Sequence, residues 1–417
     1  MRDAMRRRQI FAGGIALGAL GAPAVRALVG PAGAVTGVAG VSDTGPGSRL
    51  APFRPRADQI TAIKVCLRPF RAAGPRLDVE HVAGKTVIHN YGHGGSGWSL
   101  SWGSANIAVG KAAAMPDRRI AVIGCGIIGL TSALTALRAG FDVTIYARDL
   151  LPHTRSVRAN GSWTPDSRIA LTAQAGPAFA DLWEQMARYS WATYRDYLGL
   201  PGNPIEFVDS YVMADAPPEQ EQGPDLAKPT YTTTGRPQQS AEFAQYGARI
   251  RDIIPAETAL ADGTNPFGVA WARHAPLMIY NFGAYGHLLL EEFHQAGGRM
   301  VVREFHTPAD LGALPEKTVI NCPGYAARDW WNDDSVIPVR GQTAWLPPDP
   351  TLHYGLDYRG AAMIAKSDGV MIQGYDLDRL GEMAGVGNSF EHPDRAEAER
   401  AVGVFADLFS RSQAWRG

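Results

Sequence analysis

The sequence has few of the residues that define disulfide-rich, metal-binding or nucleic-acid-binding proteins. It contains only three cysteines in 417 residues, Cys66, Cys125 and Cys322, and none belongs to a CxxC pair. An odd number of scattered cysteines in apolar or glycine-flanked segments predicts buried free thiols, and we expect neither a disulfide framework nor a metal site. With 40 basic and 41 acidic residues the net charge is -1. The chain therefore has no global basic field, and its charge gives no indication of nucleic-acid binding.

Long apolar runs are also missing. The most apolar terminal segment, Phe11–Ala24, is shorter than the roughly 20 residues needed to span a bilayer, so we expect no permanent membrane anchor. We find no internal repeat. A chain of 417 residues with 45% hydrophobic and 19% charged residues is long enough for a large core in two or three structural units, so composition indicates a globular protein.

The amino terminus has the pattern of an export signal. Arg6-Arg7-Arg8-Gln9-Ile10-Phe11 precedes the Gly/Ala-rich segment, and small residues follow around Ala24 and Ala27. Residues 1–27 are therefore predicted to be a twin-arginine signal, with the twin-arginine export machinery as a partner and a periplasmic or secreted location. Without that signal the protein would be cytoplasmic. Residues 28–57 are predicted to be a flexible linker, and residues 215–240 a polar surface loop.

The segment VIGCGIIG at Val122–Gly129 predicts a nucleotide-binding strand–turn–helix unit. Arg119–Ile123 is predicted to be a strand, Ile127–Ala139 a helix and Phe141–Tyr146 the next strand. Gly124 permits the tight turn, Gly126 lets the backbone approach a pyrophosphate, and Gly129 allows close helix packing. Further predictions are a helix at Phe282–Ala296, strands at Met300–Phe305 and Val319–Gly324, and a helix at Asp394–Phe409.

An acidic residue follows the second strand of this unit. Asp149 is 20 positions past Gly129, where a carboxylate commonly accepts hydrogen bonds from ribose hydroxyls. The adjacent Arg148 leaves open a second interpretation, in which the arginine binds the phosphate of NADP.

A second glycine-rich segment, HNYGHGGSGWSLSWG at His89–Gly103, lies upstream of the nucleotide-binding unit. Together, several segments resemble the D-amino-acid oxidase family of flavoenzymes. In that family the VIGxGxxG strand opens the protein and the HNYGHGGxG stretch lies near its carboxyl end, so the order here is swapped. The chain thus resembles a circularly permuted member. The resemblance rests on five blocks, Ile60–Leu77, Lys85–Ala105, Ile120–Trp163, Thr318–Trp331 and Val336–Trp345.

The resemblance implies an α/β fold of the two-domain type, with a Rossmann-like FAD-binding domain and an antiparallel-sheet substrate domain. Both would lie in the permuted oxidoreductase of residues 58–417. The FAD-binding parts would be residues 86–186, 278–332 and 394–417. The substrate-domain parts would be residues 58–85, 205–275 and 336–392.

The resemblance also implies an FAD site. His93 has two interpretations, a catalytic group or, as we favour for an imidazole among glycines, a group that orients its neighbours through hydrogen bonds. Gly92, Gly94, Gly95 and Gly97 would let backbone N–H groups stabilise charge on the flavin ring. The expected FAD contacts are Gly94, Gly95, Ser96, Gly97, Trp98, Ser99, Gly124, Cys125, Gly126, Ile127, Ile128, Gly129, Arg148, Asp149, Thr154, Arg155, Ser156, Asn160, Gly161, Ser162 and Gly324. A solvated loop charge is the alternative for Arg155.

By the same resemblance, Arg68 and Gly95 are the catalytic and substrate-binding candidates. A guanidinium matches a carboxylate in bidentate fashion, so Arg68 would fix the substrate with its Cα–H toward the flavin, and Gly95 would lie beside its amine. The alternative for Arg68 is an ion pair on the protein surface. The family's activity converts D-amino acids to 2-oxo acids, ammonia and hydrogen peroxide, by hydride transfer from Cα to flavin N5 and reoxidation by oxygen.

One position departs from the family pattern. The family carries a tyrosine in a YxxPYIIP-like strand that contacts the substrate carboxylate, whereas Met363 occupies that place here. Tyr358, and also Tyr354 or Arg359, are candidates to compensate, and Met363 itself would face the substrate. Three interpretations stay open: a D-amino-acid oxidase, a related enzyme for another amine acid such as glycine or D-aspartate or with an acceptor other than oxygen, and a flavin-binding protein without turnover.

Overall fold

The computed structural model describes residues 50–216, 242–260 and 265–411. The predicted export signal, the predicted linker up to residue 49 and most of the predicted loop at 215–240 lie outside these ranges. Within the described ranges, no helix combines the length and apolar character needed to cross a membrane.

Fourteen strands and seven α-helices make up the described structure. The strands are β1 (Ala62–Phe70), β2 (Val79–Val82), β3 (Lys85–His89), β4 (Arg119–Ile123), β5 (Asp142–Ala147), β6 (Ile205–Ala214), β7 (Thr258–Ala259), β8 (Trp271–Tyr280), β9 (Arg299–Val302), β10 (Thr318–Asn321), β11 (Ile337–Leu346), β12 (Tyr354–Tyr358), β13 (Ala361–Lys366) and β14 (Gly369–Gly374). The helices are α1 (Gly97–Ala113), α2 (Ile127–Arg138), α3 (Thr172–Ala175), α4 (Phe179–Arg195), α5 (Phe282–Gln295), α6 (Ala327–Trp330) and α7 (Arg395–Arg411).

The first sheet has six strands in the order β2-β3-β10-β4-β5-β9, and all neighbours except β2 and β3 run parallel. Strands β4 and β5 are almost entirely apolar and buried, which is the pattern of parallel strands covered on both faces. Helix α2 packs over the sheet through Leu130 and Leu134, which are fully buried. The sheet therefore holds the β4–α2 turn rigidly at its edge, where the carboxyl ends of β4 and β10 meet.

The second sheet has eight strands in the order β1-β11-β14-β13-β12-β6-β8-β7, and all its pairs are antiparallel except β6 and β12. Helix α7 covers one face, where its Phe405 packs in one core with Met363 and Ile372. We call this the helix-covered face. Side chains at alternate positions project to the opposite, inner face, where Lys366 Nζ donates hydrogen bonds to the carbonyl oxygens of Gly161 (3.1 Å) and Tyr280 (2.8 Å). The inner face is thus the one that approaches the first sheet.

The architecture confirms the predicted fold class, a Rossmann-like parallel sheet joined to a mainly antiparallel one. The strand at 119–123 is as predicted, and α2, β5, α5 and α7 differ from prediction by one or two residues at their ends. The predicted strand at 300–305 ends earlier, at Val302, whose side chain is 71% exposed at the sheet edge. Burial of the three cysteines as free thiols is also confirmed.

Residues 50–57 differ from the predicted flexible linker. Phe53 is buried, and its ring lies 6.1 Å from that of Phe409 in α7. The carbonyl oxygen of Ala51 accepts a hydrogen bond from the Tyr354 hydroxyl at 2.7 Å. The Phe53 ring and the Ala51 carbonyl together attach this part of the chain to the core.

Candidate functional site

One cavity is lined by most of the residues predicted to bind a cofactor. Its wall is built by β1, by the segment between β3 and α1, by the β4–α2 turn and by the carboxyl ends of β5 and β10. The lining residues are Cys66–Pro69, Asn90–Gly95, Gly97, Trp98, Ile123–Ile128, Tyr146–Asp149, Thr154–Ser156, Ala159, 303–305, Cys322–Ala326 and Trp330. Both glycine-rich segments of the sequence, 92–97 and 124–129, thus meet at one place.

The β4–α2 turn has the geometry that its glycines predict. Gly124 has φ +96°, and a Cβ on it would lie 2.5 Å from the carbonyl oxygen of Cys322. A Cβ on Gly129 would lie 2.0 Å from the carbonyl oxygen of Gly124, so only glycine permits this contact of helix and turn. Helix α2 begins at Ile127, and its first residues line the cavity, so its amino-terminal dipole faces the cavity. This is the arrangement in which dinucleotide pyrophosphates are bound.

The charged pair after β5 lies at the rim of the cavity. Arg148 forms an ion pair with Asp149 at 2.8 Å and a second one with Glu304 at 3.2 Å. The hydrogen bonds that Arg148 donates to Asp149 raise the pKa of Arg148 most, followed by the bond that it donates to Glu304. A guanidinium held by two carboxylates is a poor site for the extra phosphate of NADP, so this geometry favours the interpretation in which Asp149 faces ribose.

The segment after β5 contributes a hydroxyl and a positive charge. Thr154 Oγ1 is buried and has no hydrogen-bond partner in the described structure, which leaves it available to a bound group. Arg155 instead makes a bidentate ion pair with Glu391, with both nitrogen–oxygen distances at 2.7 Å. Ser156 Oγ accepts a hydrogen bond from the amide of Ile127 at 3.0 Å, at the start of α2. Arg155 is therefore neither a free phosphate ligand nor a solvated charge.

The stretch from His93 to Ser99 turns tightly into α1. Gly94 has φ +55° and donates from its amide to Pro69 O (2.8 Å), while the amide of Gly95 donates to Ser167 O (2.9 Å). These two amides are therefore used inside the protein, which corrects the expectation that they stabilise charge on the flavin. The free donors are the amides of Gly97, Trp98 and Ser99, because the first turn of a helix has no intrahelical acceptors for them.

His93 lines the cavity but cannot act as a base of ordinary strength. Burial lowers the pKa of His93 to about 3, so the imidazole is neutral at physiological pH. Its Nε2 is buried without a hydrogen-bond partner in the described residues. The side chain therefore offers one unused polar atom to whatever fills the cavity, in agreement with an orienting role.

Arg68 projects from β1 into the same cavity. In the described ranges its guanidinium has no hydrogen bond and no ion pair. Gly341 on the neighbouring strand makes room for it, since a Cβ there would lie 2.4 Å from Arg68 Nη1. Burial lowers the pKa of Arg68 below its ordinary value. A partly buried, unpaired guanidinium is a binding site for an anion.

Several predicted contacts lie outside the cavity wall. Ser96, Ser99 and Gly129 support it from behind, and Ser99 Oγ accepts from the amide of Thr164 at 2.8 Å. Asn160, Gly161 and Ser162 are not among the lining residues either; the carbonyl of Gly161 accepts from Lys366 and from the amide of Tyr280.

Tyr358 and Met363 are not in the site, which corrects the prediction that they contact substrate. Both project to the helix-covered face of the eight-stranded sheet and are fully buried in the core with α7. The Tyr358 hydroxyl donates to Asp215 Oδ1 at 2.5 Å, and Arg359 pairs with the same carboxylate. Since side chains alternate along a strand, Ala362, Ile364 and Lys366 of β13 project to the inner face, but none of them is among the residues that line the cavity.

Other cavity residues were not predicted. Aromatic side chains line it at Tyr91, Tyr146, Phe305, Tyr325 and Trp330. Tyr325 follows Gly324 in a segment that the sequence does single out, but the segment around Phe305 carries no motif. It enters the cavity only because β9 lies beside β5.

The cavity fits a flavin dinucleotide. The glycine cradle at 124–129 would hold the pyrophosphate, Thr154 Oγ1 and His93 Nε2 supply unused polar atoms, and the first turn of α1 supplies amide donors. No cluster of metal-ligating side chains occurs among the residues described. Fold and site together define a dinucleotide-binding oxidoreductase.

Comparisons with known proteins identify the family. The family model for FAD-dependent oxidoreductases of the DAO type matches residues 119–416, and the chain belongs to this family. Its members use FAD, and the protein is an FAD-dependent oxidoreductase.

The sequence identity to individual relatives is low. The chain is 28% identical to the D-amino-acid oxidase of Streptomyces coelicolor over 237 residues, which are 57% of this chain and 61% of that protein. It is 25% identical to the D-amino-acid oxidase of Rubrobacter xylanophilus over 284 residues, 67% of this chain and 74% of that protein. Among solved structures, iminodiacetate oxidase from Chelativorans sp. BNC1 aligns with a TM-score of 0.46 and 17% identity, covering 70% of this chain and 80% of that one.

Proposed function

We propose that the protein oxidises D-amino acids to imino acids, which hydrolyse to 2-oxo acids and ammonia, with oxygen as the electron acceptor. The observation that carries this proposal is Arg68. It is an unpaired guanidinium in the wall of the flavin cavity, one residue before Pro69, whose carbonyl accepts a hydrogen bond from Gly94. The similarity to the D-amino-acid oxidases of Streptomyces coelicolor and Rubrobacter xylanophilus also supports it.

When bound, FAD supplies the acceptor for a hydride and the later reaction with oxygen. The chain supplies binding and orientation. Arg68 would hold the substrate carboxylate, and the narrow glycine turn at Gly94 and Gly95 would let the substrate amine approach without a side chain in between. The amino-terminal dipole of α1 and its free amides favour negative charge beside them. No side chain need act as a strong base, in keeping with a neutral His93.

An amino-acid panel tests the proposal. The purified yellow protein is mixed anaerobically with single D- or L-amino acids, and bleaching of its visible absorbance is followed; the same panel in air is assayed for peroxide. We expect D-amino acids to bleach the flavin and to yield peroxide in air. Bleaching by L-amino acids alone would refute the stereochemistry, bleaching without peroxide would refute oxygen as acceptor, and no bleaching would identify a flavin-binding protein without turnover.

We also propose that the chain is a circular permutation of the family fold. Counted from β4, the parallel strands β4, β5, β9, β10 and β3 are first to fifth, and their spatial order reads 3-2-1-4-5, as in doubly wound nucleotide-binding sheets. The family match also begins at the first residue of β4. The two ends of the described chain are close, since Arg395 Nη2 donates to Ala57 O at 2.7 Å.

Export through the twin-arginine pathway is a further proposal, which rests on Arg6, Arg7 and Arg8. Replacing all three arginines by lysine keeps the charge but removes the guanidinium groups. We expect the variant to stay in the cytoplasm of the producing cell as active, flavin-loaded protein. Cell fractionation beside the unchanged protein checks this, and equal export of both would contradict it.

A further inference from the structure

A second cavity, of about 750 Å³, lies beside the flavin cavity and shares a wall with it. The shared wall is the segment at 151–159, in which Arg155 lines the flavin cavity and Arg158 lines the second cavity. The amino-terminal part of α5, from Phe282 to Leu290, lines the second cavity from another side. We call this second cavity the α5 groove. Its volume lies in the range of small-molecule binding sites.

Much of the lining of the α5 groove is apolar. Val65 of β1 and Phe282 of α5 are buried beneath it. The half-buried apolar side chains that line it are Ile63, Leu151, Val157 and Leu290. Gly283 of α5 leaves additional space, because a Cβ on this residue would meet no atom within 4 Å. The groove can therefore remove a hydrocarbon body from water.

Two half-buried cations also line the α5 groove. The Nζ of Lys64 lies 4.0 Å from the centre of the Trp345 ring, and the ammonium forms no hydrogen bond and no ion pair with any described residue. Burial lowers the pKa of Lys64, as expected of a cation that has lost water without gaining a partner. Arg158 uses only Nη1, which pairs with Glu391 at 3.1 Å. Its Nε and Nη2 have no acceptor within the described ranges and form one unused fork.

The acidic side chains of the groove leave these cations largely unmatched. Glu391 is shared, because its two oxygens also accept hydrogen bonds from Arg155 at 2.7 Å each. Asp368 is exposed and forms no ion pair among the residues described, so water and salt screen its charge. A planar carboxylate matches the unused fork of Arg158 and can at the same time neutralise Lys64. The groove therefore fits an anionic group joined to an apolar body.

We propose that the α5 groove is a second ligand-binding site, separate from the flavin cavity, for a monocarboxylate with an apolar body, such as a medium-chain fatty acid. Lys64 and Arg158 would bind the carboxylate, and Val65 and Phe282 would contact the hydrocarbon chain. This site is independent of which substrate the flavin cavity takes.

Calorimetric titration of the flavin-loaded protein with octanoate tests the proposal. Octanamide, which has the same chain and no charge, is the matched ligand, and we expect octanoate to bind at least about tenfold more tightly. Because Arg68 is itself proposed to bind a carboxylate, the titrations are repeated with Arg68→Ala, in which octanoate binding to the groove should persist. Loss of all octanoate binding in Arg68→Ala, or equal affinities for octanoate and octanamide, would overturn the proposal.

Two charge variants locate the carboxylate. Lys64→Met and Arg158→Gln should each weaken octanoate binding at least about fivefold and leave octanamide binding unchanged. Arg400→Gln, which removes an exposed arginine paired with Asp378, is the matched control and should bind octanoate normally. Unchanged octanoate affinity in both charge variants would refute the assigned site. Tighter binding of zwitterionic 2-aminooctanoate than of octanoate would show that Asp368 takes part and would refute the anionic ligand class.

A steric variant tests the position of the apolar body without changing any charge. Gly283→Leu places a side chain in the open space of the groove, where it meets no other atom at Cβ, so we expect the fold to be kept and octanoate binding to be abolished. Gly403→Leu on α7, which also has open space at Cβ, is the matched control and should bind octanoate as the unchanged protein does. Equal octanoate affinity in the two glycine variants would place the ligand outside the α5 groove.

Discussion

Replacing Arg68 by alanine should separate function from stability. The guanidinium has no ion pair in the described part of the chain, and burial lowers its pKa, so the folded protein gains little from the charge. Its removal leaves no partner unsatisfied. We therefore expect the free energy of unfolding to stay constant or to rise by up to about 2 kcal/mol, as when a functional charge is removed from a buried site.

Catalytic activity should fall, although stability is kept or rises. Loss of a desolvated bidentate carboxylate contact costs roughly 2–5 kcal/mol, which lowers kcat/KM by about 30-fold to several thousand-fold, mainly through KM. FAD content should remain normal, since Arg68 is proposed to contact substrate. Arg68→Lys should recover only part of the activity, because an ammonium lacks the planar fork of a guanidinium.

Steady-state kinetics, denaturant unfolding and the visible spectrum of the same preparations check these expectations. Arg188→Ala serves as the control, because Arg188 lies on α4 and pairs with Glu184 and Asp252 at 2.8 Å. A partly exposed pair of this kind contributes at most about 1 kcal/mol to stability and nothing to kinetics. Unchanged kinetics in Arg68→Ala, together with a less stable fold, would refute the role of Arg68 as the carboxylate site.

Three further predictions concern the cofactor, a buried lysine and the chain order. Gly124→Ala should yield protein without FAD, since Gly124 has φ +96° and a Cβ on it would lie 2.5 Å from Cys322 O. The control Gly110→Ala, which has open space around the added Cβ, should bind FAD normally. Equal visible absorbance of the two variants would contradict the assignment of Gly124 to the FAD site. Burial lowers the pKa of Lys366 from 10.5 to about 7, so the unfolded state binds more protons between these values and stability from this group rises with pH. Lys366→Met should remove that rise, up to about 1.4 kcal/mol per pH unit, and an unaltered slope in pH-dependent unfolding would refute it. A chain with Gly417 joined to Leu50 by a Gly/Ser linker and new termini near Pro116 should fold with FAD, and a colourless, unfolded product would argue against the permutation.

The sequence by itself determined the nucleotide-binding unit and the cofactor class. The spacing of Gly124, Gly126 and Gly129 between two apolar strands requires a strand–turn–helix, because other residues would clash at the turn and at the helix contact. The resemblance also pointed to the glycine-rich stretch at 92–97 and to Arg68 of β1, and both line the cavity. These features depend on local conformation and short-range spacing, which a sequence displays directly.

Only the tertiary structure decided which groups are free to act. The direction of a side chain on β13 depends on strand register, so Met363 and Tyr358 point to α7 although their segment resembles a substrate-contacting strand. Arg155 is occupied by Glu391, which is 236 positions away, and the amides of Gly94 and Gly95 by carbonyls from two other segments. Ser167 and Arg168, far along the chain, contact the same glycine turn. Pairings between distant residues are set by packing of the two sheets, and sequence spacing carries no information about them.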